Sequence, residues 1–163
     1  MKPFRARGSE VVARLDPAEA GVLGLLLDQL EQLFDADSVA EDPVLQRLFP
    51  DGHRGDAEMA ADYRDLTEES LRSGKADDLA TVRATLPSAG GEVRLDRDQA
   101  GAWLRTTNDV RLALGVRLDI TEDTEPPDDP AEDEGQQLAV YYWRTAVQGA
   151  LVDALVAGRA GRR

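Results

Sequence analysis

The stretch from Trp103 to Ile120, WLRTTNDVRLALGVRLDI, is apolar on two faces at helical spacing. At about 100° per residue, Trp103, Thr107, Val110, Leu114 and Leu118 line one side; Ala113, Val116 and Ile120 lie roughly opposite, with Leu112 between. A helix of this kind needs cover on both sides. It is either the central helix of a small bundle or a helix with one face held for a partner. The strands and helix caps around it favour the central position, with the first and last helices as cover.

The rest of the chain is long enough to supply that cover. With 163 residues, 42% of them hydrophobic, it supports one domain with a real core and is too short for two ordinary ones. Phe4 to Ala6 and Val11 to Leu15 flank Arg7, Gly8 and Ser9, a spacing that suits a hairpin, and Glu92 to Leu95 comes after the Gly90-Gly91 turn signal as a third short strand. The ends of the second and third strands, with the residues just after them, match at an offset of 80 residues: Arg14, Leu15, Asp16, Glu19, Ala20 and Gly21 correspond to Arg94, Leu95, Asp96, Gln99, Ala100 and Gly101. In each copy the Asp can cap the first turn while the residue three places on reaches back. Duplication of a strand-cap-helix unit and ordinary capping chemistry both account for the match.

The first helix is expected from Asp16 to about Asp35, with Leu23, Leu26, Leu27, Leu30, Leu33 and Phe34 inward. Pro17 suits its first position. PVLQRLF after Asp42 reads as a short helical turn closed by Pro50, and a longer helix begins near Asp56, where Gly74 is expected to interrupt it before a continuation ending by Pro87. A last helix spans about Gln137 to Ala157, with Val140, Trp143, Val147, Leu151 and Ala154 on one face. The expected fold is mostly α (α+β), a four- to five-helix bundle with a small two- or three-stranded antiparallel sheet. Its core is expected to include Leu26, Leu30, Tyr63, Leu66, Trp103, Val110, Leu114, Trp143 and Val147. All of 1–163 forms one domain, with 121–136 a flexible acidic linker or loop and 158–163 a frayed tail.

Charge and composition exclude several chemistries. The formal net charge is −13, and residues 121–134, TEDTEPPDDPAEDE, hold eight acidic residues and three prolines, leaving −5 for the remainder. Such a segment buries too little apolar surface to offset its ordering entropy. The overall sign opposes phosphate backbones and anionic membranes, so direct nucleic-acid binding and a membrane partner are not expected; nor does any helix carry a basic stripe. With no cysteine, thiolate nucleophiles, disulfides and zinc-thiolate sites are absent, and any redox role needs a partner's thiol. MKPFRARGSE has no apolar signal core, and the longest apolar run, Val22 to Leu27, is broken by Gly24. The expectation is a soluble, cytoplasmic protein.

Candidate chemistry is sparse. Glu58, Asp62, Asp65 and Glu69 share one helix stripe that could offer oxygen ligands to a hard cation, or simply be a solvated face. A di-iron bundle adds facing carboxylates and Glu-x-x-His, yet the single histidine, His53, sits in a turn-rich loop between Asp51 and Asp56. No Gly-rich phosphate loop occurs and no cofactor is expected. Arg111 and Arg117, at the edges of the main face of the Trp103 helix, must snorkel outward or find a carboxylate, with Glu58, Asp62 or Asp65 as mates. Together with Asp109 they are the candidates for partner contact or a structural salt bridge.

The segments FRARGSEVVARLDPAEAGVLGLLLDQL, DPVLQRLFPDGHRGDAEMAADYRDLTEESLRSGKADDL, WLRTTNDVRLALGVRLDI and YYWRTAVQGALVDAL, in this order, resemble an actinobacterial family of unknown function that includes the AosR oxidative-stress regulators. The most specific pieces are Trp103-Leu104, Asn108-Asp109, Arg111-Leu112 and Leu114-Gly115. The resemblance implies genes lying beside those for the adaptor ClpS and for sulfur-carrier-dependent cysteine synthesis, and regulation through protein partners, a stress sigma factor among them. It brings no catalytic residues. The redox-sensing branch uses a cysteine pair, which this chain lacks. The expected function is that of a non-catalytic regulatory or adaptor protein acting in stress response by contact with another cytoplasmic protein, a sigma factor or regulator; a homodimer is left open. The alternative is a metal-binding or enzymatic helical protein built on the Glu58, Asp62, Asp65 and Glu69 stripe.

Overall fold

Gly8 and Ser9 form a two-residue turn in which Gly8 takes φ 63°, the left-handed geometry that tight hairpins require and that glycine adopts without a Cβ penalty. In the computed structural model, which describes residues 2–35, 43–48, 57–117 and 146–157, this turn joins β1 (Lys2–Arg7) to β2 (Glu10–Leu15). The side chains at 2, 3, 45, 46, 57–68 and 117 lie outside that description. Arg7 stands opposite Glu10 and Arg5 opposite Val12, with a register irregularity between Lys2 and Arg5. On the other side of β2 runs β3 (Gly91–Leu95), so the antiparallel sheet has the order β1-β2-β3. Val11, Ala13, Leu15, Val93 and Leu95 face the core, whereas on the other face Arg14, Glu92 and Arg94 are exposed and Val12 alone is buried among the described β2 and β3 residues.

The 80-residue repeat has a structural counterpart. Ala13 pairs with Val93, its own equivalent, and Leu15 with Gly91. The two strand copies thus meet about a local two-fold at the Ala13–Val93 pair. Each runs into a complete capping box. Asp16 Oδ1 accepts from the Glu19 amide while Glu19 Oε2 accepts from the Asp16 amide, both at 2.8 Å. Asp96 Oδ1 accepts from the Gln99 amide at 2.8 Å, and Gln99 Oε1 from the Asp96 amide at 2.9 Å. Four orphan amide donors are satisfied by this reciprocal geometry. Gly90 locks the copies together: its φ is 79°, and a Cβ there would lie 2.7 Å from the Pro17 nitrogen and 2.8 Å from the Asp16 carbonyl carbon.

From these caps grow α1 (Pro17–Phe34) and α4 (Arg97–Arg117). In α1 the inward set Leu23, Leu26, Leu27, Leu30, Leu33 and Phe34 is buried, as its helical period requires. Short α2 (Pro43–Leu48) buries Val44 and Leu48, and α3 (Ala57–Thr85) is one helix of 29 residues. The expected break at Gly74 does not occur. Gly74 is exposed with nothing near its missing side chain, so its cost is only the intrinsic one of about 1 kcal/mol. Leu79 and Val82, buried one to two turns later, offset it.

α4 is the centre of the assembly. It contacts α1, α2, α3, β2 and β3. Trp103 has no exposed surface, packs edge-on against Phe4 at 5.6 Å and 61°, and donates its indole N–H to Thr85 Oγ1 at 2.7 Å. A final helical stretch, α5 over 146–157, buries Val147, Leu151 and Ala154. Its Ala154 and Leu155 line a shallow crevice with Ala6, Gly8, Val11 and Arg97. The buried arc of α4 is wider than its apolar residues alone mark out, taking in Thr106 and Asp109 with Ala102. The acidic segment 121–136, the tail 158–163, His53, Leu118, Ile120, Val140 and Trp143 lie outside the described residues, as do the side chains of Tyr63 and Leu66.

Candidate functional site

Polar groups on the central helix fall into two sets, one closed and one open. The closed set joins α4 to α3, which runs antiparallel beside it. Lys75 Nζ lies 2.7 Å from Asp109 Oδ1, and the carboxylate is only 7% exposed. One turn earlier on α4, Arg105 makes a two-pronged pair with Asp78, Nε to Oδ2 at 2.8 Å and Nη2 to Oδ1 at 2.9 Å. Such a fork matches guanidinium and carboxylate geometry and fixes direction as well as charge. Burial pushes the Asp109 carboxyl above its ordinary range; the Lys75 ammonium pulls it back, and nearby Asp78 adds a smaller upward push. Asp109, a contact candidate from its place in the chain, is thereby occupied within the fold.

Elsewhere α3 holds α1 in the same manner. Arg83 spans Asp28 at 2.7 Å and Glu31 at 2.9 Å, and Arg72 donates to the Phe34 carbonyl at the end of α1, where a helix leaves its last carbonyls unpaired.

The open set lies where α4 meets α5. Asn108 Oδ1 accepts from Gln148 Nε2 at 3.2 Å and from Arg111 Nη2 at 3.3 Å. Arg111 is partly buried, and its Nε is enclosed with no hydrogen-bond acceptor. Among the described residues no carboxylate pairs with Arg111. Its neutral neighbour Asn108 offers one oxygen already shared with Gln148. A guanidinium carries five donors in a planar fork, so this group has capacity for a carboxylate brought from outside.

The proposed mates of Arg111 and Arg117, namely Glu58, Asp62 and Asp65, have side chains outside the described residues, as does that of Arg117 itself. Glu69, the last of that stripe, is exposed. No group of three or more His, Asp or Glu able to hold a metal occurs among the described residues. A crevice between α1 and α4, lined by Leu26, Gln29, Leu30, Leu33, Val110, Ala113 and Leu114, encloses roughly 20 Å³, on the order of one water molecule. No helix among the described residues is long and apolar enough to cross a membrane.

The Lys75–Asp109 and Asn108–Gln148 contacts escape sequence reading. They join positions 34 and 40 residues apart. The available signal was an Asn-Asp pair inside an otherwise well-patterned helix, where such residues favour caps and turns unless a tertiary partner holds them.

Comparison with known proteins agrees with the resemblance drawn from the sequence. A family profile described as a domain of unknown function, DUF2017, matches residues 1–155. An AosR-named protein of Mycobacterium leprae is 33% identical over 175 aligned positions, covering 90% of this chain and 79% of its own length. Proteins named oxidative stress regulator AosR in Mycobacterium bovis and Mycobacterium tuberculosis are 30% identical over 171 positions, covering 86% of this chain and 76% of theirs. No solved structure matches.

Proposed function

The chain belongs to the DUF2017 family, a domain of unknown function, and from that premise we propose a non-catalytic regulatory or adaptor role in stress response, exerted by contact with another protein. The names of its mycobacterial relatives support the regulatory part. The contact part is carried by one observation: Arg111 stands partly buried beside α5 with an unfilled Nε and no carboxylate among the described residues. A guanidinium held, among the described residues, only by the neutral Asn108 oxygen gains most from a partner's Asp or Glu. Net charge adds a second requirement. A chain at −13 steers basic surfaces toward itself, so the fitting partner is basic overall and presents a carboxylate locally. With no cysteine in these 163 residues, an oxidant signal reaches the complex through the partner's chemistry.

The test begins with the tagged full chain as bait in an actinobacterial lysate, followed by purification of the recovered protein and calorimetric titration. Wild type is expected to form a saturable complex whose association slows as salt rises. Arg111→Glu is expected to weaken it by about tenfold or more at an unchanged melting temperature. Equal affinity of the variant, or no saturable complex with any recovered protein, contradicts the proposal.

A further inference from the structure

The sheet ends on β3, and the outer edge of that strand is self-complementary. The two-residue Gly8-Ser9 turn makes Arg7 and Glu10 the hydrogen-bonded pair that closes the hairpin, so Glu10, Val12 and Arg14 direct their backbone groups toward β1. Val11, Ala13 and Leu15 then serve β3, through Leu95, Val93 and Gly91. By the same alternation, the amides and carbonyls of Glu92 and Arg94 point away from the sheet. Among the described residues nothing pairs with them. Pairing beyond these two positions is blocked at both ends, because the Gly90 amide donates to the Pro87 carbonyl and the Asp96 amide to Gln99.

We propose that a second copy of this chain occupies this edge, with the two β3 strands antiparallel about Val93 and a continuous six-stranded sheet across the dimer. In that register Glu92 stands opposite the second copy's Arg94, and Arg94 opposite the second copy's Glu92, both in hydrogen-bonded positions. The side chains of both residues are on the exposed face of the sheet. The two neighbouring registers with the same backbone alternation set Glu92 against Glu92 or Arg94 against Arg94, and like charges directly opposite destabilise a ladder. Only the register centred on Val93 joins opposite charges, extending between the chains the ion pairs that Arg94 makes with Glu92 and Glu10 within each chain. The other sheet edge is built differently: β1 directs the backbone groups of Phe4 and Ala6 outward, the equivalent self-pairing sets Arg5 against its own copy, and the register of β1 is irregular between Lys2 and Arg5. Edges protected against pairing look like β1. A closed two-fold association through β3 uses each free backbone group once and leaves no further edge of the same kind.

Sedimentation equilibrium of the full chain, from micromolar to several hundred micromolar, tests this. Wild type is expected to show a reversible monomer–dimer equilibrium. Glu92→Arg and Arg94→Glu, each alone, place like charges at both cross-strand positions, and each is expected to dimerise about tenfold or more weakly. An equimolar mixture of the two variants restores opposite charges at both positions and is expected to form a heterodimer of near wild-type affinity. Circular dichroism and melting temperature confirm that both variants fold. A wild type that stays monomeric throughout, single variants that dimerise like wild type, or a mixture no stronger than its components each overturns the proposal.

Discussion

Asp109 carries opposing influences in one carboxyl group: burial against α3 disfavours its charge, and Lys75 at 2.7 Å favours it, with burial the larger effect. A folded-state pKa above the ordinary value of 3.8 means that the folded protein binds this proton more readily than the unfolded chain. The contribution to stability is full below the unfolded value and is lost as pH rises through the folded one. Asp109→Asn removes it. When pH is lowered through the acid range, the wild type is therefore expected to lose stability less steeply than Asp109→Asn, as measured by urea unfolding at a series of pH values. Parallel slopes, or a steeper wild type, contradict this reading. At the same scale Arg111 could be picked out in the sequence as a cation at the edge of an apolar stripe. Its surroundings could not. Gln148 approaches it from beyond the acidic segment, and no spacing rule links positions so far apart.

Elements whose chemistry is local could be read directly. Both capping boxes arise from an Asp and a Glu or Gln three residues later, and the hairpin from Gly8 between alternating strands. Gly74 shows the opposite case. Propensity alone predicts an interruption of α3, but propensity is a weak influence when partly buried Leu71 before the position and buried Leu79 and Val82 after it hold the helix to its neighbours. The two kinds of glycine therefore respond oppositely to alanine. Gly74→Ala, in an exposed helix interior with open space, is expected to stabilise the protein by about 0.5–1 kcal/mol. Gly90→Ala demands a left-handed backbone, costing about 1–3 kcal/mol, and also drives a methyl group into the Asp16-Pro17 cap. Thermal melts of the two variants should shift in opposite directions. A Gly90→Ala protein as stable as wild type removes the claim that this contact locks the two strand-helix copies together.

Across the whole molecule, the ambiguity in the Trp103 helix is resolved by its neighbours. Among the described residues its main face is buried at Trp103, Thr107 and Val110 and its opposite face at Ala113, with Leu112, Leu114 and Val116 partly covered; α1, α2, α3 and the sheet supply the cover and α5 touches it through Gln148. The apolar pattern announced a doubly covered helix, but the polar share of that burial, Thr106 and Asp109, depends on α3 and was invisible without it. The described turns from Ala102 to Ala113 are largely enclosed. The proposed contact with another protein uses its polar margin at Arg111, and the proposed second copy uses the edge of β3, which is unpaired among the described residues. Native-state hydrogen exchange tests the enclosure most directly. The amides from Trp103 to Ala113 are predicted to exchange only through openings as costly as global unfolding, in the slowest class of the protein. Exchange of this segment through local opening, faster than the buried turns of α1, would contradict the account.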